Sequence, residues 1–234
     1  MPHALQLPPA PALPFAASEL TFPVGRIWCV GRNYTAHTRE MGADPARDPP
    51  FFFAKPATAL VPAASGAGVV LPYPRATNNL HHEVELVVAI GERGATDAAD
   101  PLAWIAGFAV GLDLTRRDIQ AGLKEKGLPW EMAKAFDRSA VVGPLAIAND
   151  SVRLDPQTPI GLWVNEVKRQ HGTLAEMIWP VADLLQHLQA LVDVLPGDLV
   201  FTGTPAGVGP LLPGDRVRGE VEGLPAVEFM VGDR

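Results

Sequence analysis

The amino-acid sequence predicts a mainly β (α+β) protein with a few short helices. The chain of 234 residues contains 24 prolines and 22 glycines, so turns interrupt it often. The apolar runs between these turns are short, as the strands of a β protein are. Six runs are predicted strands: "RIWCVG" (26–31), "VELVVAIG" (84–91), "GLWVNE" (161–166), "DLVFTG" (198–203), "DRVRGEVEG" (215–223) and "AVEFMV" (226–231).

Three longer stretches have helical periodicity. They are "NYTAHTREMG" (33–42), "LTRRDIQAGLKEKG" (114–127) and "VADLLQHLQALVDV" (181–194). Gly42 and Gly127 are predicted to end the first two helices, because glycine adopts the left-handed conformation common at helix ends. In the third, one apolar stripe is expected to contain Leu184, Leu185, Leu188 and Leu191.

The tetrapeptide "LPGD" occurs at 195–198 and again at 212–215, each time before a predicted strand. Proline followed by glycine suits the central positions of a type II turn. We therefore expect two turns that mark hairpins.

The composition, 47% hydrophobic and 19% charged, is typical of a globular protein. We expect one domain at 23–234, preceded by an extended proline-rich arm at 1–22. The formal net charge of -7 argues against nucleic acid or an anionic membrane surface as a partner.

The single cysteine, Cys29, excludes an intramolecular disulfide and is typical of a reducing compartment. We expect it to be a small buried thiol. The first fifteen residues, "MPHALQLPPAPALPF", lack a basic region and contain several prolines, so no signal peptide is predicted. No later apolar run has the length of a membrane helix, and we expect a cytoplasmic protein.

Two acids open the predicted strand in "NNLHHEVELVVAIG" (78–91). Side chains alternate along a strand, so His81, Glu83 and Glu85 share one face. The two acids are then about 7 Å apart along the chain, and like charges removed from water require a compensating cation. A solvated strand edge is the ordinary alternative.

A third acid, Asp113, ends the apolar run in "GFAVGLDLTRRDIQ" (107–120). Its ordinary role is that of a helix N-cap. If the helix starts there, Asp113, Arg117 and Gln120 lie on one helical face, where the planar guanidinium can hold an organic carboxylate. A surface Asp–Arg pair that contributes little is the alternative.

Together, Glu83, Glu85 and Asp113 would form an all-carboxylate metal site. Such hard oxygen ligands favour Mg²⁺, Mn²⁺ or Ca²⁺ over Zn²⁺. His81 faces the same way and can orient a ligand, although a histidine at a strand start is more often simply hydrogen-bonded.

Two further features can carry chemistry. His37 and Glu40 stand at i, i+3 in the first predicted helix, where a glutamate can orient a histidine as a general base; such spacing is also ordinary on a solvated face. Lys134 lies among apolar residues in "PWEMAKAFDRS" (129–139), where it can stabilise an enolate or lie in a solvated loop. The sequence has no G-x-S-x-G motif, and "GTPAGVG" (203–209) matches no nucleotide-binding loop.

Six blocks in order resemble the fumarylacetoacetate hydrolase family, in its short single-domain branch. The blocks are "GRNYTAHTREMG", "FFFAKPATAL", "HHEVELVVAIG", "GLDLTRRDIQ", "PWEMAKAFD" and "FTGTPAGVG". The resemblance covers about residues 23–231. The segments "FPVGRIWCVGRNY" and "DPPFFFAKP" are most similar to bacterial fumarylpyruvate hydrolases, and acylpyruvate hydrolases share most of the other blocks.

The resemblance implies a mixed β-sandwich roll that forms a homodimer, with a lid that carries His37 and Glu40. The metal ligands that it implies for Mg²⁺ or Mn²⁺ are Glu83, Glu85 and Asp113. The positions that match substrate contacts are Lys134, Arg117, Gln120 and Thr204. Lys55, in "AKPA", fits a structural and a substrate role equally.

The implied activity is hydrolytic carbon–carbon cleavage of a 2,4-diketo acid, such as fumarylpyruvate or another acylpyruvate, in gentisate-type aromatic catabolism. Glu40 would orient His37 to activate water, and Lys134 would stabilise the pyruvate enolate that leaves. Three alternatives stay open: oxaloacetate decarboxylation, isomerisation of an unsaturated 2-oxo diacid, and a non-catalytic, metal-stabilised module that binds small acids.

Overall fold

The computed structural model describes residues 9–36, 49–91, 100–149, 152 and 154–234. Strands dominate these residues. The strands are β1 (Ala12–Pro14), β2 (Thr21–Pro23), β3 (Arg26–Val30), β4 (Phe52–Pro56), β5 (Leu60–Pro62), β6 (Val70–Pro72), β7 (Leu80–His82), β8 (Val84–Ile90), β9 (Ile105–Asp113), β10 (Thr115–Arg116), β11 (Ala140–Val142), β12 (Ala146–Ile147), β13 (Pro159–Val164), β14 (Val167–Thr173), β15 (Asp198–Phe201), β16 (Gly209–Leu211), β17 (Arg216–Val221) and β18 (Val227–Gly232). The α-helices are α1 (Arg117–Glu125), α2 (Glu131–Lys134) and α3 (Val181–Gln189), and the 3-10 helices are Ala57–Ala59, Pro101–Trp104 and Leu174–Glu176.

Two large sheets and two small ones organise the described residues. An eight-stranded sheet has the order β4-β3-β15-β8-β9-β11-β5, and β12 pairs with β9 outside this path. A five-stranded sheet has the order β14-β13-β17-β18-β6. The small sheets are β10-β7-β16 and β1-β2. Most neighbours are antiparallel, whereas β3 with β15, β5 with β11 and β6 with β18 are parallel.

The two large sheets pack against each other around an apolar core. Val84 and Val110 contribute from the eight-stranded sheet, and Leu162 and Phe229 from the five-stranded sheet. Every residue of β8 is buried. The central strands β8 and β9 are therefore a rigid support for side chains at their ends.

The opposite face of the eight-stranded sheet packs against the N-terminal pair β1 and β2. Leu13 and Phe22, one from each strand, lie in the same apolar cluster as Cys29. Cys29 is a free and fully buried thiol, as expected. The boundary between an arm at 1–22 and a domain at 23–234 stays a prediction.

All six predicted strands are confirmed to within a few residues at each end. The two "LPGD" turns also form: the Asp198 N–H donates to the Leu195 carbonyl at 3.0 Å, and Asp215 to Leu212 at 3.1 Å. Gly197 and Gly214, both at φ +90°, occupy the position of a type II turn that requires positive φ. Their interpretation as hairpins is wrong, because neither turn joins two strands that pair with each other.

The helix predictions need two corrections. Helix α1 begins at Arg117, because Asp113 still belongs to β9, and it is followed by Gly127 at φ +64° as predicted. Helix α3 ends at Gln189, so Leu191 falls outside it and is 68% exposed while the other three leucines of the predicted stripe are buried. Most of the predicted helix at 33–42, including Gly42, lies outside the described residues.

No helix of the described segments is long and apolar enough to cross a membrane.

Candidate active site

Three carboxylates converge at one end of β8 and β9. Glu83 stands between β7 and β8, Glu85 is the second residue of β8, and Asp113 is the last residue of β9. The Asp113 N–H donates to the Glu83 carbonyl oxygen at 2.9 Å across the antiparallel pair. One carboxylate oxygen from each acid lies within 4.8 Å of the others, and all three side chains are buried. The solvated-edge interpretation of these acids is therefore wrong.

Two buried lysines neutralise part of this charge. Lys134 Nζ lies 2.8 Å from Glu83 Oε2 and 2.6 Å from Asp113 Oδ2. Burial alone lowers the pKa of the Lys134 ammonium, but the carboxylates of Asp113 and Glu83 outweigh it, so this pKa stands above its ordinary value. The alternative of a solvated loop lysine is wrong, because Lys134 is only 3% exposed.

Lys55, whose role was open, belongs to the same cluster. Its Nζ lies 2.8 Å from Asp113 Oδ1 and donates to the backbone carbonyls of Leu114, at 3.4 Å, and Lys134. Lys55 thus holds both a carboxylate of the site and the end of the helix that carries Lys134.

Arg117 and Gln120 also lie at the site, but not for the reason that the helical spacing gave. Asp113 is in a strand, so the three residues do not share a helical face, and Arg117 Nη2 pairs with Glu83 Oε1 at 2.6 Å instead. Arg117 Nη1 donates to Gln120 Oε1. The side chain of Thr115 donates to the same Glu83 oxygen at 3.1 Å. Both oxygens of Glu83 are thereby fixed.

His81 contacts Arg117, not the carboxylates. Arg117 Nε donates to His81 Nδ1 at 3.3 Å, and His81 Nε2 lies 2.9 Å from Asn79 Oδ1. Burial and the Arg117 charge lower the pKa of His81 to about 4. The ring is therefore neutral near pH 7, and it supports Glu83 indirectly by orienting the guanidinium.

Glu85 differs from the other two acids in its partners. Its Oε2 accepts the backbone N–H of Gly203 at 2.6 Å, and no ion pair links it to a lysine or arginine of the described segments. Burial, together with Asp113 and Glu83, raises the pKa of Glu85 well above its ordinary value. A further cation at this point would favour the charged form.

Thr204 follows Gly203 in the loop after β15 and is 3% exposed. Its Oγ1 accepts a hydrogen bond from Gln170 Nε2 at 2.8 Å. The sequence interpretation missed Gln170, which lies in β14 among exposed polar residues. A polar run of this kind gives no sign that one member is fully buried.

His37 and Glu40 lie outside the described residues. The chain that leads to them is described as far as residue 36. There, Asn33 Nδ2 donates to the carbonyls of Trp179 at 3.0 Å and Thr202 at 2.8 Å, and Asn33 Oδ1 accepts the Trp179 N–H at 2.8 Å. Asn33 therefore ties this part of the chain to the end of β15, one residue before Gly203.

A family model described as fumarylacetoacetate (FAA) hydrolase C-terminal matches residues 26–232. This chain belongs to the fumarylacetoacetate hydrolase family. The mainly β fold expected from the resemblance is confirmed by a solved structure of fumarylpyruvate hydrolase from Pseudomonas aeruginosa in complex with Mn²⁺ and pyruvate. The two chains are 46% identical, each is covered completely, and the TM-score is 0.94.

Other proteins similar to this chain carry a different name. The oxaloacetate tautomerase YcgM of Escherichia coli is 42% identical over 85% of this chain and 89% of its own. The mitochondrial oxaloacetate tautomerase FAHD1 of Mus musculus is 37% identical over 90% of this chain and 96% of its own. Proteins similar to this chain over most of its length thus carry the names of different reactions.

The acids of this family member fit a divalent metal ion. Three buried carboxylates offer only oxygen ligands, and oxygen ligands suit Mg²⁺ and Mn²⁺. Burial and the two neighbouring acids raise the pKa of Glu85, so Glu85 is the group whose charged form such an ion would favour most. Glu83, Glu85 and Asp113 can therefore hold a divalent metal, and their role as its ligands stays a prediction.

Proposed function

We propose that this protein is a metal-dependent hydrolase that cleaves the bond between carbons 3 and 4 of a 2,4-diketo acid, with fumarylpyruvate or a related acylpyruvate as substrate. The observation that carries the proposal is the buried Lys134 ammonium, 2.6 and 2.8 Å from two acids. Beside them lies Glu85, which has no ion pair among the described residues. This arrangement suits a reaction in which negative charge develops on a 2-oxo acid. The similarity to a fumarylpyruvate hydrolase in complex with Mn²⁺ and pyruvate supports the same substrate class.

The cationic groups of the site suit the 2-oxo acid end of the substrate. A guanidinium has five N–H groups. Among the described residues, Arg117 uses one for each of His81, Gln120 and Glu83, so two are left there for a substrate carboxylate. Gln120 and Thr204 are assigned to the same end. When bound, Mg²⁺ or Mn²⁺ at the three acids supplies a Lewis acid that polarises the 2-oxo group.

The bond-breaking step requires a base and a group that stabilises an enolate. We assign the base to His37, oriented by Glu40: it takes a proton from water, and the water oxygen adds to the 4-carbonyl carbon. Collapse of this adduct breaks the bond between carbons 3 and 4 and releases a carboxylic acid and the enolate of pyruvate. Two N–H groups of Lys134 are directed at Asp113 and Glu83, and the third is assigned to the enolate oxygen. Carbon 3 then takes up the proton.

Oxaloacetate tautomerisation is the second candidate, and the identity of 37–42% to two oxaloacetate tautomerases favours it. It requires the same binding of a 2-oxo acid and the same enolate stabilisation, but no attack by water. The non-catalytic module has less support, because a buried lysine between two acids, beside a third acid with no ion pair among the described residues, is a costly arrangement for a module that only binds. The decarboxylase stays an alternative that product analysis tests.

One panel of substrates separates these candidates. Fumarylpyruvate, acetylpyruvate and oxaloacetate are incubated with Mg²⁺ or Mn²⁺, and the products are identified by NMR. Hydrolysis gives pyruvate plus a second acid, decarboxylation gives pyruvate plus CO₂, and tautomerisation leaves the mass unchanged. We expect hydrolysis of the diketo acids to be fastest; rapid tautomerisation of oxaloacetate with no diketo acid cleaved would replace the first proposal by the second.

A His37→Ala variant tests the assigned base. We expect turnover of the diketo acid to fall by about 10²- to 10⁴-fold, the usual contribution of general base catalysis, while Mn²⁺ affinity measured by calorimetry is unchanged. Turnover near that of the wild type would show that another group activates water.

We also propose a cytoplasmic homodimer, as the family resemblance implies, with a role in the catabolism of aromatic compounds. Light scattering coupled to size-exclusion chromatography measures the mass directly. A mass of one chain, 24.9 kDa, would exclude the dimer.

A further inference from the structure

Gln170 is a fully buried amide in a strand whose other residues are exposed or half-buried. All four hydrogen-bonding positions of its carboxamide are occupied. Oε1 lies 2.8 Å from His82 Nδ1 and 3.1 Å from the backbone N of Val84. Nε2 donates at 2.8 Å both to Thr204 Oγ1 and to the carbonyl oxygen of Pro205. A side chain buried with every donor and acceptor paired is held in one orientation.

The orientation of the Gln170 amide follows from the two backbone partners. The N–H of Val84 can only donate, so the atom facing it is the oxygen; the carbonyl of Pro205 can only accept, so the atom facing it is the nitrogen. His82 Nδ1 must then carry the hydrogen that it donates to Oε1. Thr204 Oγ1, in turn, must accept from Nε2.

The orientation of the Gln170 amide also determines where the Thr204 hydroxyl directs its hydrogen. A hydroxyl has one hydrogen, and an oxygen that accepts from Gln170 must direct its own hydrogen elsewhere. No acceptor for that hydrogen lies within hydrogen-bonding distance among the residues that the structure describes. The hydroxyl is therefore a donor that a bound anion can use.

Gln170 also connects the segment that carries Glu83 and Glu85 to the loop whose backbone binds Glu85. Val84, which donates to it, stands between Glu83 and Glu85. Thr204, which accepts from it, follows Gly203, whose N–H binds Glu85. One amide from the five-stranded sheet thus sets the separation between the acids and the loop at 203–205.

We propose that Gln170 is a positioning residue for the binding of the 2-oxo acid. It holds the loop at 203–205 against β8 and makes the Thr204 hydroxyl a hydrogen-bond donor to an oxygen of the bound acid. This inference rests on the proposed function, because it takes Thr204 as a substrate contact.

The first test replaces the amide by an apolar side chain of similar length, in Gln170→Met. We expect KM for the diketo acid, and Kd for pyruvate measured by calorimetry in the presence of Mn²⁺, to rise by about 10- to 100-fold, the range for a lost hydrogen bond to a charged group. The turnover number should change by less than about 10-fold, and Mn²⁺ affinity should stay the same. A general loss of structure would instead lower turnover and metal affinity together.

The second test uses coupling to Thr204. Thr204→Val alone should weaken pyruvate binding to a similar degree, and the double variant should bind no more weakly than either single variant, because both act on one hydrogen bond. Gln170→Glu keeps the oxygen that accepts from Val84 but offers a carboxylate to Thr204, so the hydroxyl turns its hydrogen away from the substrate. We expect this variant to bind pyruvate at least as weakly as Gln170→Met.

The matched control is Gln189→Met, which removes another side-chain amide, one that accepts the N–H of Val194 at 3.0 Å and not a hydrogen bond from a residue of the site. It should leave KM and Kd unchanged. Two results would overturn the proposal. One is that the effects of Gln170→Met and Thr204→Val on pyruvate binding are additive. The other is that Thr204→Val binds pyruvate as tightly as the wild type, which decides the question even if Gln170→Met does not fold. If the wild type neither binds pyruvate with Mn²⁺ nor converts any 2-oxo acid, it is the proposed function that fails.

Discussion

Strand β15 pairs with residues 87–89 of β8, and a buried acid lies beyond each end of this pairing, in a different setting. At one end Asp198 accepts Arg26 Nε at 2.8 Å and Arg26 Nη2 at 2.6 Å, and its Oδ2 also accepts the Leu195 N–H at 2.9 Å. At the other end Glu85 accepts the Gly203 N–H, has no ion pair to a lysine or arginine among the residues that the structure describes, and faces two more acids.

This difference separates a structural charge from a functional one. Asp198 is matched by one guanidinium in a two-pronged contact, so its negative charge is compensated by the folded chain itself. The acids around Glu85 share the cations of Lys134, Lys55 and Arg117, and none of these pairs with Glu85. Only the Glu85 end is left with a requirement that a bound ion can meet.

The largest expected effect that tests this contrast is that of Glu85→Gln. The amide can still accept the Gly203 N–H, but it removes a metal ligand, and we expect turnover of the diketo acid to fall by about 10³-fold or more. Thermal stability without metal should be equal or higher, because a buried acid with a raised pKa destabilises the fold when it ionises. Undiminished metal-dependent turnover would contradict the metal site.

The second prediction concerns pH and is measured as the melting temperature with and without Mn²⁺. Because the pKa of Glu85 is raised in the folded state, the folded protein holds this proton more tightly than the unfolded chain, and Glu85 reduces metal-free stability as pH rises through its folded pKa. Mn²⁺ must displace the same proton, so its stabilisation grows with pH. At a Mn²⁺ concentration 100 times its Kd, the gain in the free energy of unfolding should reach about 2.7 kcal/mol.

Glu85→Gln is the control for this pH dependence. It should lose both the decline of metal-free stability with pH and most of the Mn²⁺ effect. A Mn²⁺ shift of the same size at pH 5 and pH 8 would argue that the ion binds elsewhere.

The sequence predicted what local patterns determine. Alternation along one strand put Glu83 and Glu85 on one face, and the short apolar runs between turns marked the strands correctly. Partner choice was beyond these patterns: β15 lies between β3 and β8, not beside the strand nearest in sequence. For this reason the turns at 195–198 and 212–215 were predicted correctly, whereas their interpretation as hairpins was wrong.

Long-range pairing also explains which site residues were missed or misplaced. Arg117 was placed beside Asp113 by helical spacing, whereas it contacts Glu83, 34 residues away. Gln170 was missed because its four partners lie in segments distant in sequence, at His82 and Val84 and at Thr204 and Pro205. The family resemblance supplied Thr204, but no local pattern connects it to β14.

The smallest expected effect is at the end of the strand pair where Asp198 is paired with Arg26. Asp198→Asn keeps the shape of the side chain but removes the charge that Arg26 contacts, and we expect a loss of about 1–2 kcal/mol in the free energy of unfolding, measured in urea. The loss is limited because the Arg26 side chain is 38% exposed and water can replace part of its contacts. Turnover and the Mn²⁺ effect should be those of the wild type, since Asp198 takes no part in the acid cluster. A large fall in turnover without a fall in stability would mean that the two ends of the pair are coupled, and the distinction between a compensated and an uncompensated acid would have to be abandoned.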